Sequence, residues 1–181
     1  MSWFDAQHIL CVRFDVRGDL SMCQPALQLL KHDLPSRRIT LLTSPPCATP
    51  AQRIEEVDHV ILYDAPWLSI ASENEAIADR RMIARIDAGD FDGAVIFTRR
   101  GESALPAALM CMLADIPLRL GRGADQPGRL LTHWVRDTSI DEDASEAQRQ
   151  LIMVRTIVAG EIARSGPRAP ERRASPAQAG L

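Results

Sequence analysis

The sequence predicts an α/β domain built as a doubly wound parallel sheet, and three observations predict it. Short continuous apolar runs alternate with stretches of helical periodicity along nearly the whole chain, the order that makes βαβ units. The apolar runs lack polar alternation, as strands covered on both faces do. At 181 residues, 46% of them hydrophobic, the chain can bury about 70% of its unfolded surface in one core, whereas two full domains would be a squeeze.

Ile9-Leu10-Cys11-Val12 is the first strand. A Gly-containing turn follows, then an amphipathic helix with Cys23, Leu27, Leu30 and Leu34 on one face. Pro25 is tolerable only near a first turn, so this helix begins a few residues earlier and tightens there, and Pro35 stops it. Ile39-Thr40-Leu41-Leu42 is strand two, closed by the loop Ser44-Pro45-Pro46. A small helical stretch over Gln52 to Glu56 leads to strand three, Val60-Ile61-Leu62-Tyr63. Glu75 to Ala88 is a helix with Met82, Ile83 and Ile86 inward and Asp79, Arg80 and Arg81 largely outward. Strand four is Ala94-Val95-Ile96-Phe97. Leu105 to Leu113 is apolar nearly all round, the pattern of a buried helix. Leu118-Arg119-Leu120 is a short fifth strand, and a last helix begins at Ala144 with Leu151, Val154, Val158 and Ile162 on one face. Residues 164–181 are rich in Arg, Pro and Ala with almost nothing to bury, and read as a disordered tail after a domain of residues 1–163.

Composition excludes several classes. The net charge of −3 and pI near 5.8 argue against a general nucleic-acid binder. No run approaches the roughly 18 apolar residues of a transmembrane helix. Met1 to His8 lacks the basic cluster and apolar core of a secretory signal, so the expected location is cytoplasmic. Cys11, Cys23, Cys47 and Cys111 are scattered singly, with no Cys-x-x-Cys pair and no His at ligand spacing, so they read as small core residues and no metal or resident cofactor is expected. Lys31 is the only lysine; arginine suits phosphate and carboxylate recognition, but a high-GC genome gives the same bias.

In a doubly wound sheet ligands gather at the carboxyl ends of the strands. That rule selects Arg13 to Asp19 after strand one, Thr43 and Ser44 after strand two, Thr98, Arg99, Arg100, Glu102 and Ser103 after strand four, and Gly121, Arg122 and Gly123 after strand five. Arginines from three loops could converge on an anion, or each could be solvated. Gly121-Arg122-Gly123 fails the dinucleotide fingerprint, because the third Gly position is Gln126, and no Walker-type Gly-Lys-Ser/Thr is present. Asp19 stands at a helix N-terminus, where a carboxylate is usually a cap.

Taken in order, several segments resemble the N-terminal half of glycosyltransferase family 9, the ADP-heptose:lipopolysaccharide heptosyltransferases and relatives. They are Ile9 to Asp15 through Gly18-Asp19, Gln24-Pro25-Ala26-Leu27, Ile39 to Ser44, Val57 to Trp67, Phe91 to Thr98, and Leu105-Pro106-Ala107-Ala108-Leu109 with Ile116-Pro117-Leu118-Arg119. The resemblance implies a GT-B enzyme of two Rossmann-like domains, this chain matching the acceptor-binding one. It implies Asp19 as the general base on the acceptor hydroxyl, with inversion at the anomeric carbon. It implies Arg17, Gly18, Thr98, Arg99, Arg100 and Arg122 as acceptor-binding residues, the acceptor being the anionic inner core of lipopolysaccharide, a glycolipid that would bring the protein to the inner face of the inner membrane. The donor in the complete enzyme would be ADP-heptose or a related nucleotide sugar.

Two features depart from the family. Ser145-Glu146 stands where many relatives carry a His-Glu pair, and no donor domain follows within the 181 residues. The expectation is therefore a truncated or split transferase that needs a separately encoded donor domain. The rivals are a non-enzymatic remnant or binding module with the same fold, and an unrelated Rossmann-like nucleotide binder.

Overall fold

The computed structural model describes residues 1–15, 17, 19–68, 75–124, 126–137 and 144–160. The expected tail at 164–181 and the acceptor candidate Gly18 lie outside them, as does Ile162 of the last helix. The described residues form a six-stranded, wholly parallel sheet of order β3-β2-β1-β4-β5-β6. Its strands are β1 (His8–Arg13), β2 (Arg38–Thr43), β3 (His59–Leu62), β4 (Gly93–Ile96), β5 (Leu118–Gly123) and β6 (His133–Arg136). The helices are α1 (Gln24–Asp33), α2 (Ala48–Ala51), α3 (Glu75–Asp87), α4 (Leu105–Leu113) and α5 (Glu146–Val158). The architecture is α/β and Rossmann-like, as the alternation of runs predicts.

Strand alternation divides the core in two. Ile9, Cys11, Ile39, Leu41, Val95 and Leu120 face one layer, where α1 packs against α5. Leu10, Val12, Leu42, Ile61, Ala94 and Ile96 face the other, which holds α3 and α4. All four cysteines are buried, and burial pushes the thiols of Cys11, Cys23 and Cys111 far up, which fits core packing and not reactivity. Strand order reverses between β1 and β4, so the loops after these two strands flank the switch point, where the sheet opens a crevice.

Some expectations need correction. The helical turns after β2 come earlier than Gln52: a 3-10 turn at Pro45–Cys47 runs into α2, because Ser44 is extended and proline suits a first turn. β5 continues through Gly121, Arg122 and Gly123, placing Arg122 in a strand and not a loop. The unforeseen β6 supplies the pairing that extends it, Arg122 against Val135 and Gly123 against Arg136. Gly121 suits the position, since a Cβ there would lie 3.0 Å from Leu131. α4 is not buried all round; Leu109 and Leu113 are exposed. In α5 the buried face is Arg149, Gln150, Met153, Val154 and Ile157, turned from the apolar stripe because two polar side chains are taken inside. The early tightening of α1 is present as a 3-10 turn at Ser21–Cys23, with Pro25 in the first turn of the helix.

Candidate functional site

The site at the switch point is organised by Asp15, one of the carboxyl-edge residues after β1, to which the sequence alone assigns no role. Asp15 follows β1 by two residues and is buried. Its Oδ2 accepts from the Arg13 guanidinium at 2.8 Å and from Arg99 Nη2 at 2.5 Å. Its Oδ1 accepts from the backbone N–H of Arg17 at 2.7 Å and, more weakly, from that of Asp19 at 3.4 Å. The backbone of Asp15 is pinned as well: its N–H donates to Ser44 Oγ, and the Ser44 hydroxyl donates to its carbonyl. The chain leaving β1 is thereby wound around one side chain and fastened to the end of β2.

The loop after β4 closes the other wall. Glu102 accepts from Arg13 Nη1 at 2.7 Å and from the backbone N–H of Arg99 at 2.6 Å. Two guanidinium groups and two carboxylates thus form one ion network across the switch point. Asp15 is 2% exposed within it and the Arg99 side chain 33%, so Arg99 alone of the two arginines reaches solvent.

Asp19 stands at the mouth of this network and is exposed. Its Oδ1 accepts from the Ser21 hydroxyl at 2.6 Å and from the Ser21 backbone N–H at 2.9 Å. Those bonds, the hydroxyl's first, hold its carboxyl below the usual carboxylate range against a small opposing effect of burial; Arg99 and Arg13 pull the same way. The short 3-10 turn has Leu20 as its N-cap with no side-chain bond of its own, and Asp19 does the capping from one residue further out. Oδ1 of Asp19 therefore caps the turn, and Oδ2 accepts no hydrogen bond among the described residues.

The acceptor candidates fall into different surroundings. Arg17 is exposed, beside Asp15 through its backbone. Thr98 is buried, its carbonyl accepting from Gln150 Nε2 on α5 at 2.6 Å. Arg100 turns toward α5: its N–H donates to Glu146 and its guanidinium to the carbonyl of Ala144. Arg122 is buried and lies 3.3 Å from Asp137, which also accepts from Arg149; Arg149 in turn pairs with Glu146. The structure brings Asp19, Arg17 and Arg99 together around Asp15, and places Arg100 and Arg122 with a second ion network at the end of β5 and β6.

Asp15 and Glu102 stand among the strand-end residues that the sequence selects, but without a role of their own, and Ser21 is not among them. A signal for the first was present: Arg13 and Asp15 are two apart and share one side of an extended chain, the spacing of a strand-end ion pair. For the third, Asp19-Leu20-Ser21 is the spacing at which a carboxylate accepts from the backbone two residues on. No group of three or more His, Cys, Asp or Glu among the described residues is arranged to hold a metal, and no helix among them is long and apolar enough to cross a membrane.

No protein-family model matches the chain. In sequence it is similar to a Haemophilus influenzae protein provisionally named as a glycosyltransferase, with 26% identity over 155 residues, 84% of this chain and 41% of that protein. In fold it is similar to a glycosyltransferase of family 9 from Veillonella parvula, with a TM-score of 0.68 at 15% identity over 85% of this chain and 42% of that one. The E. coli ADP-heptose lipopolysaccharide heptosyltransferase II matches with a TM-score of 0.65 at 20% identity, over 81% of this chain and 40% of the enzyme. An E. coli heptosyltransferase solved with ADP matches with a TM-score of 0.56 at 14% identity, over 90% of this chain and 49% of that one. The chain shares the fold of these solved glycosyltransferases and spans two fifths to one half of the length of these relatives.

Proposed function

We propose that this chain is the acceptor-binding half of an inverting glycosyltransferase, with Asp19 as its general base. The observation that carries the reading is the Asp19 carboxylate itself: ionised, exposed at the switch point, one oxygen engaged by Ser21 and the other without a hydrogen bond among the described residues. A base must reach the proton that it removes within about 3 Å, and an exposed oxygen at the crevice can meet an incoming hydroxyl. The solvent-reaching edge of Arg99 and the exposed Arg17 lie on the same loop pair, and guanidinium groups suit phosphate and carboxylate. That chemistry fits an anionic sugar acceptor such as lipopolysaccharide inner core, met at the cytoplasmic face of the inner membrane. The donor would be ADP-heptose or a related nucleotide sugar, held by a donor domain on the same or another polypeptide.

Closure of a donor domain would set the anomeric carbon in line with the acceptor hydroxyl, and much of the rate comes from such positioning. The 181 residues by themselves should therefore transfer no sugar from ADP-heptose, while binding an anionic inner-core acceptor weakly. Fused to the C-terminal domain of a close relative they should regain transfer, and Asp19→Asn in the fusion should lower turnover by at least about a hundredfold. Equal turnover by the fusion and its Asp19→Asn variant would leave Asp19 a cap and remove the basis of the proposal.

A further inference from the structure

We infer that Ser21 is a positioning residue for Asp19: it clamps one carboxylate oxygen and so selects the other, Oδ2, as the atom that meets the acceptor hydroxyl. The inference rests on the reading of Asp19 as the base. Its observation is separate, the convergence of two donors from one residue on a single oxygen, Oγ at 2.6 Å and the backbone N–H at 2.9 Å.

The clamp answers a mechanical problem. The terminal torsion of an aspartate is broad and roughly two-fold, so an exposed carboxylate with no tether exchanges its oxygens freely. Ser21 has a firm base from which to hold it, because the next two residues of its 3-10 turn, Met22 and Cys23, are buried. From the other side the Asp19 backbone N–H leans on Asp15 Oδ1. Main chain and side chain are thus both constrained, and only Oδ2 projects unengaged among the described residues. A base oriented by a third group is the arrangement that catalytic dyads and triads share.

The charged surroundings fix the expected direction with pH. Arg99 and Arg13 attract the ionised form, each already paired with Asp15, and Arg13 also with Glu102. Cys23 lies close with a neutral buried thiol. Ser21 adds two hydrogen bonds to the charged form, the larger from its hydroxyl. Removing the hydroxyl should therefore raise the midpoint at which Asp19 titrates. A base held this way gives up some proton affinity and gains a fixed direction and full ionisation at neutral pH.

Ser21 is exposed, so Ser21→Ala removes the hydroxyl with little disturbance of packing and keeps the backbone donor. The carboxyl carbon of Asp19, followed by NMR in the full 181-residue chain, should titrate below the ordinary value of about 3.9. The midpoint should move upward in Ser21→Ala and return in Ser21→Thr, which restores a hydroxyl. In the fusion, Ser21→Ala should lower kcat about tenfold and change the acceptor KM by less than about twofold, since orientation and not binding is lost. An unmoved midpoint overturns the inference, and so does a moved midpoint with unchanged kcat. Should Asp19→Asn retain full turnover, the base reading falls with it; should Asp19→Asn be inactive while Ser21→Ala is fully active, only the clamp falls.

Discussion

Two ion networks lie along the carboxyl edge of this sheet, and they use arginine in opposite ways. Around Asp15, at the ends of β1 and β4, a buried carboxylate holds one buried and one partly exposed guanidinium and two loop N–H groups, and the chain that it winds presents Asp19 to solvent. Around Asp137, at the ends of β5 and β6, the guanidiniums of Arg122 and Arg149 are both 2% exposed, and the carboxylates of Asp137 and Glu146 face partly outward. The second network ties α5 to the sheet. In the first, burial of the carboxylate leaves charge and donors directed outward; in the second, burial of the arginines turns them into struts. Position at the carboxyl edge alone does not make an arginine a ligand group.

The comparison is tested most severely by removing each hub. Asp15→Ala leaves the buried Arg13 with only the half-exposed Glu102 and frees two loop N–H groups. Truncating one partner of a buried pair costs about 3–5 kcal/mol, so urea unfolding of this variant should show a loss in that range. A loss under about 1 kcal/mol would mean that water or a rearranged loop takes the place of Asp15 and that it is no hub.

Asp137→Ala should be milder. Arg149 keeps Glu146 at 2.8 Å, and Asp137 is itself partly solvated. About 1–3 kcal/mol is expected, the cost of leaving part of a buried polar group unsatisfied. Acceptor binding should be unchanged in this variant if the second network serves to fasten α5 to the sheet, as its pairs among the described residues do. A fall in acceptor affinity as large as its fall in stability would blur the division between the two regions.

The physical reasons for what could be read in the sequence differ between these regions. β1 and β2 are continuous apolar runs buried on both faces, and nothing competes with that signal. β6, His-Trp-Val-Arg, is a short edge strand with a polar residue at each end, and its apolar content is too slight to separate it from a loop. The pattern of α5 predicts a buried apolar stripe, yet Arg149 and Gln150 lie inside because Asp137 and the Thr98 carbonyl supply partners from outside the helix and Glu146 one from its first turn. Asp19 is singled out in the sequence by its Gly-Asp setting in an ordered series of segments. The hub role of Asp15, which winds the loop that carries Asp19, is not legible there, because its partner Arg99 is 84 residues away. Long-range ion pairing leaves no periodicity to detect.

The smallest effect is the sharpest test of the division between holding the fold and serving the site. Asp19→Asn keeps an oxygen that can accept from Ser21, as asparagine does at caps, so stability at neutral pH should change by no more than about 0.5 kcal/mol. The residual difference has a sign. The folded carboxyl of Asp19 titrates below its unfolded value because Ser21, and then Arg99 and Arg13, favour the charged form. Its contribution is therefore fully present above the unfolded value of about 3.9 and is lost as pH falls through the folded one. Unfolding curves of the parent and Asp19→Asn should keep a constant separation from about pH 7 to 5 and converge below about pH 4. A separation that widens on acidification would mean that the protonated form is the one stabilised, and an Asp19 that prefers its proton could not stand as the ionised base at the mouth of the Asp15 network.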